Sequence, residues 1–184
     1  MNQSLFQFIH QFAGHSALLD HVGIFFANYL PYLLAAAFLV LAAYEPGLRK
    51  KLYLFAEGAI AVMLSRGLLT EIIRFFYHHE RPFAFYNFTP LIGESGSSFP
   101  SGHMTFFFAL AAVVWYANRR WGWWFLGLSF AVGIARIYVG VHWPFDIFGG
   151  IVIGIACGMF VHRLLKKPRE ELYGRAQTPS APAR

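Results

Sequence analysis

His142 and Asp146 stand four residues apart at the head of a long apolar run. That spacing puts both side chains on one face of a helix start. The carboxylate can then accept a hydrogen bond from one imidazole nitrogen and leave the other unprotonated and directed outward, as in an activated nucleophile or base. A structural pair, or two ligands of a metal, would use the same spacing. A second group, Pro100-Ser101-Gly102-His103 in "FPSGHMTFFFAL", opens another apolar run with residues that neither pack well in lipid nor propagate a helix. Pro100 and Gly102 turn the chain, Ser101 is suited to cap the helix that follows, and the free N–H groups of its first turn favour an anion. Arg74, Arg81 and Arg136 add fixed positive charge. Singly, each has an ordinary explanation: a cap, an interfacial anchor, a snorkelling arginine. Together they point to an anion site, and a metal is disfavoured because it would share the pocket with the arginines.

These groups need a scaffold, and the composition names its kind. The chain has 184 residues, of which 57% are hydrophobic, 19% aromatic and only 13% charged, with a mean hydropathy of +0.47. This is the profile of an all-α integral membrane bundle, not of a soluble domain. The net charge of +6 does not indicate nucleic acid, because the basic residues lie between apolar runs. The one cysteine, Cys157, is inside an apolar run, which excludes a disulfide within a monomer and disfavours a thiol catalyst. No cleavable leader is expected at the N-terminus.

Five crossings are expected: Val22 to Ala43 with a kink at Pro31, Leu52 to Tyr77, Ser101 to Asn118, Trp121 to Val139, and Pro144 to Leu165. Gly150, Gly154 and Gly158 suit close helix packing. Residues 1–15 predict an amphipathic interfacial helix, with Leu5, Phe8, Ile9 and Phe12 on its apolar face. Residues 1–167 form one domain in this division, and 168–184 a disordered cytoplasmic tail. Arg49 to Lys51, Arg119 with Arg120, and the C-terminal segment carry 11 of the 15 basic residues. They should face the cytoplasm. The arginine and histidine cluster then lies at the outer face, where ionisable groups are costly and usually functional.

The stretches "RFFYHHERP" (74–82), "PSGH" (100–103) and "ARIYVGVHWPFD" (135–146) resemble the three signature motifs of the type 2 phosphatidic acid phosphatase superfamily. In its short helical form the chain is most similar to bacterial undecaprenyl pyrophosphate phosphatases of that superfamily. Arg74 stands where the pattern has Lys, and Ala135 where it has Ser. The resemblance implies that His142 attacks phosphorus to form a phosphohistidine, that Asp146 orients it, and that His103 protonates the departing oxygen and then activates water. It also implies that Arg74, Arg81, Ser101, Gly102 and Arg136 hold the phosphoryl oxygens. No cofactor or metal is required in that scheme.

The function expected is that of a membrane lipid phosphatase acting on an amphiphile in the bilayer, with its site facing the outside or periplasm of the inner membrane. Undecaprenyl pyrophosphate is the first substrate candidate and a glycerolipid phosphate the second. A non-catalytic lipid-phosphate binder or transporter, and a haem- or metal-binding bundle, are alternatives of other classes. Arg66 is expected to pair with an acid such as Glu71 or Asp20, with lining a substrate groove as the alternative, Glu57 to be solvated, His78 and His79 to flank the pocket, and Glu94 to meet a headgroup or solvent.

Overall fold

The computed structural model describes residues 1–174, and among them the regular structure is entirely helical. α1 is Asn2–His10. Two long rods follow, α2 (Ala17–Tyr44) and α3 (Leu48–Phe76). After a single turn, α4 (Pro82–Phe85), come α5 (Gly102–Ala117), α6 (Arg119–Tyr138), α7 (Pro144–Leu164) and α8 (Lys166–Gly174). The rods α2, α3 and α7 are long and apolar enough to cross a membrane, and their outer faces expose Leu33, Leu39, Ile60, Met63, Val152 and Phe160. Such a belt of large apolar side chains suits lipid, not water.

α5 is the axis of the bundle. It has 16 residues and is buried along almost its whole length, against α6, α7, α2 and α3. Between helices in lipid there is little hydrophobic drive, so close packing must hold them. The expected glycine seam does this. A Cβ on Gly150 would come within 2.8 Å of the Ser101 carbonyl oxygen, one on Gly154 within 2.8 Å of Thr105 O, and one on Gly158 within 2.8 Å of Ala109 O. Only glycine permits the two backbones to approach this closely.

α2 continues through Pro31, with a π-helical stretch, Phe25–Tyr29, just upstream of it. The wider turn accommodates the N–H that proline lacks and its ring. α3 has a second such stretch, Met63–Leu69, which carries Arg66. In α1, Leu5 and Phe8 are exposed, as is Phe12 beyond it, while Phe6, at 1% exposure, anchors the helix to the bundle. An aromatic cluster of Tyr86, Phe88 and Trp143 receives Phe6.

The segment after Lys167 is not a coil at its start, because residues 168–174 continue α8. Arg169 donates to Tyr116 O at 2.6 Å, and Tyr173 donates to Glu45 at 3.1 Å. Residues 175–184 lie outside the described residues. Nor is Glu57 solvated: it is fully buried, accepts from His162 Nδ1 at 2.8 Å and lies 3.5 Å from Arg169.

Candidate active site

The turn between α6 and α7 sets the position of His142. Gly140 takes φ = +88°, the left-handed conformation that ends a helix at low cost only in glycine. Val141 N then donates back to Arg136 O at 3.2 Å. α1 clamps this connection from outside. His10 Nδ1 meets Tyr138 O at 2.8 Å, Asn2 accepts from Phe145 N at 3.1 Å, and Phe6 packs on Trp143 with ring centroids 5.1 Å apart.

Asp146 is completely buried in the first turn of α7. Its carboxylate accepts from Trp143 N at 2.8 Å and from Ser98 Oγ in a short hydrogen bond. It faces His142 Nδ1 at 3.4 Å and His79 Nδ1 at 3.3 Å. His142 is 1% exposed. With Nδ1 turned to Asp146 and Ser98, its Nε2 side is left for the cavity that the ring lines. His142 lies in the connection between spans, and burial pushes its imidazole down to about 4, against the opposing pull of Asp146. It is therefore neutral, with a free lone pair, at ordinary pH.

The cavity holds about 370 Å³ and is lined on its polar side by Arg66, Arg74, Arg81, Glu94, Gly102, His103, Arg136 and His142. Six of the eight site residues expected from sequence thus share one wall. The other two lie behind it: Asp146 supports His142, and Ser101 is buried under the helix start with its N–H donating to Asp146 O at 3.0 Å. The Ser101 hydroxyl does not cap α5. Among the described residues it has no partner, and neither has Arg74 Nε nor Arg136 Nε, all three atoms being buried. A buried polar group left unpaired costs about 1–3 kcal/mol, so three such donors around one cavity call for an acceptor.

The arginines differ in how they are held. Arg81 is committed to the loop before α5, donating to Ser95 O, Gly96 O and Val141 O at 2.9–3.0 Å. Burial lowers its guanidinium to about 10, still cationic. Arg74 donates to Pro100 O at 3.0 Å and so fixes the turn that starts α5. Arg136, 2% exposed, forms an ion pair with Glu94. Arg66 pairs with Glu71, as expected, while Asp20 instead bonds Tyr138 OH at 2.7 Å. Arg66 also lies over Gly102, where a Cβ would approach its Nε to 2.6 Å. Ala135 does not line the cavity; it packs with Ala27, Val139 and Val141.

The floor of the cavity is apolar: Pro31, Tyr32, Ala35, Phe106 and Phe107. Through Ala35 and Phe106 it adjoins a second, almost wholly apolar cavity of about 230 Å³ between α2, α3 and α5, reaching Phe38, Phe55 and Leu110. Sequence reasoning missed Ser98 and left Glu94 and His79 open. Nothing in a loop serine's spacing marks it as a partner of Asp146.

Known proteins show the same arrangement of elements. Residues 55–170 match the model of the PAP2 superfamily. The chain is 33% identical to the bacitracin transport permease protein BcrC of Bacillus licheniformis over 88% of this chain and 79% of that protein. It is 30% identical to the undecaprenyl-diphosphatase BcrC of Bacillus subtilis over 89% and 83% respectively. The crystal structure of Aquifex aeolicus LpxE superposes with a TM-score of 0.74 at 28% identity, covering 88% of this chain and 94% of that one. With the match to the family model extending from within α3 into α8, and the three motifs meeting at one cavity, the chain belongs to the PAP2 superfamily of membrane phosphatases.

Proposed function

We propose that the chain hydrolyses the terminal phosphate of undecaprenyl pyrophosphate at the outer face of the cytoplasmic membrane, with its C-terminus on the cytoplasmic side. The observation that carries the chemistry is an imidazole held through Nδ1 by a buried carboxylate, at the edge of a cavity lined by arginines. Nε2 of His142 attacks the terminal phosphorus, and the bond to the bridging oxygen breaks. His103 gives that oxygen its proton, so the lipid monophosphate leaves. His103 then takes a proton from water, whose oxygen attacks the phosphohistidine, and inorganic phosphate departs. Arg74, Arg81, Arg136, Ser101 Oγ and Gly102 N–H stabilise the charge spread over the phosphoryl oxygens.

The lipid nature of the substrate is supported by the apolar floor and its continuation between α2, α3 and α5. A diphosphate substrate is supported by the name of the Bacillus subtilis relative. The transport name carried by the Bacillus licheniformis relative corresponds to a binder without chemistry, which has no use for a nucleophile poised on Asp146. Orientation rests on the cytoplasmic preference of the basic loops.

The test is phosphate release by the purified protein in detergent from undecaprenyl pyrophosphate, phosphatidylglycerophosphate and phosphatidic acid, with His142→Ala as control. The expected result is release that prefers the first and falls by ~10³-fold or more in the variant. Equal release by both proteins would refute the mechanism, and a preference for either glycerolipid would replace the substrate.

A further inference from the structure

Glu94 is an acid inside a cradle built for an anion. Its carboxylate pairs with Arg136 and lies 3.7 Å from Arg81 Nη2, two guanidinium groups that line the catalytic cavity. Burial alone would raise this carboxyl, but Arg136 and Arg81 outweigh it and keep it ionised. A phosphoryl group that takes the same Arg136 donors must displace the carboxylate. The motion required is small. The backbone around Glu94 is pinned, because Arg81 holds the carbonyls of Ser95 and Gly96. The Glu94 side chain is 28% exposed, so it can rotate outward without moving the loop.

We propose that Glu94 is an internal competitor that sets how strong an anion must be to occupy the cradle. This rests on the phosphatase assignment above and adds to it a control on how far surrounding anions fill the site. Bilayers are rich in phosphodiester lipids, each with one negative charge and two non-bridging oxygens. A terminal phosphoryl group carries about −1.5 to −2 at neutral pH and offers three oxygens. If the arginines are held by Glu94 most of the time, every anion's apparent affinity is reduced by the same factor, the fraction of cradle that is free. The phosphodiester then falls below useful occupancy. The terminal phosphoryl group, with its further charge and third oxygen, keeps enough affinity to displace the carboxylate. The same exchange speeds departure of the inorganic phosphate formed.

The experiment compares the full-length wild type with Glu94→Gln and Glu94→Ala in detergent mixed micelles. Inhibition of turnover is titrated with phosphatidylglycerol, vanadate and inorganic phosphate, and binding of inorganic phosphate is read separately from thermal stabilisation. Removal of the carboxylate is expected to lower the inhibition constants of all three by a common factor of about tenfold, with the same shift in the thermal midpoint. Unchanged constants, or weaker binding in both variants, would overturn the proposal, the latter showing that Glu94 only holds the arginines in place. If no protein releases phosphate from any lipid, the phosphatase assignment fails, while the thermal midpoints still decide the role of Glu94.

Discussion

The bundle contains two buried charged clusters, at opposite ends of the same three helices, and they are built to different ends. At one end, Glu57 of α3 accepts from His162 of α7 and lies beside Arg169 of α8, with Tyr116 of α5 stacked on His162 at 3.7 Å. The two atoms left there without a hydrogen bond, Glu57 Oε2 and Arg169 Nη1, face each other at 3.5 Å as an ion pair. The other end, about 25 Å along α3 by the rise per residue, has Arg74, Arg136 and Ser101 with donor atoms that find no hydrogen-bond partner among the described residues. The first cluster surrounds one acid with its own cations and an aromatic plate. The second carries more cationic donors than its acids can satisfy and encloses a cavity. Ionisable groups in an apolar fold are costly in either case. A closed set indicates a fastener, whereas an excess of one sign around a void indicates a ligand of the other.

That contrast can be broken in four ways, beginning with the largest effect. Glu57→Ala leaves His162 and Arg169 without their acid and should cost about 3–5 kcal/mol of stability. Thermal melting in detergent would show this, while KM stays unchanged; a large KM change with no loss of stability would show that the far cluster is part of the catalytic apparatus. Arg136→Ala should lower kcat/KM by about 10²–10³-fold, with a much smaller change in melting temperature.

The third concerns pH. The folded His142 has its pKa depressed from the ordinary value to about 4, so the neutral, nucleophilic form persists well into acid. The acid limb of kcat/KM that belongs to this group should therefore fall near pH 4. Titration of the His142 ring itself near pH 6.5 in the ligand-free protein would mean that it is not the buried imidazole described here. The smallest effect is at Asn118, whose side chain accepts from Arg120 N at 3.0 Å and Trp121 N at 3.2 Å and so caps α6. Asn118→Ala should cost about 1 kcal/mol and leave turnover untouched.

The two clusters also differ in how well they can be read from sequence. The cavity end was legible because its residues are ones a lipid-facing helix would not carry, grouped at helix ends with short spacings: His142 with Asp146, and Pro100 through His103. The far end was not. Glu57 looks like any acid near a basic loop, and only the packing of α3 on α7 and α8 brings it to His162 and Arg169. Glu94 failed for the same reason, since it lies in an irregular loop whose path is set by Arg81 and not by any local periodicity. The helices themselves followed from apolar run length. The π-helical stretches did not, because nothing in the hydropathy of Met63 to Leu69 distinguishes a wide turn from an ordinary one.

The glycine seam between α5 and α7 has a consequence for catalytic distance. Its three notches are spaced four residues apart, close to one helical turn, and engage backbone oxygens of α5 directly. The two helices are therefore in direct backbone contact at all three notches. The first notch seats Ser101, whose amide reaches Asp146. A slip of one turn would carry the turn before α5 about 5.4 Å from the imidazole's supporting acid. The distance between the turn that opens α5 and Asp146 is thus gauged by glycines running far along α7, and bulk introduced at Gly158 should be felt as misalignment at the cavity.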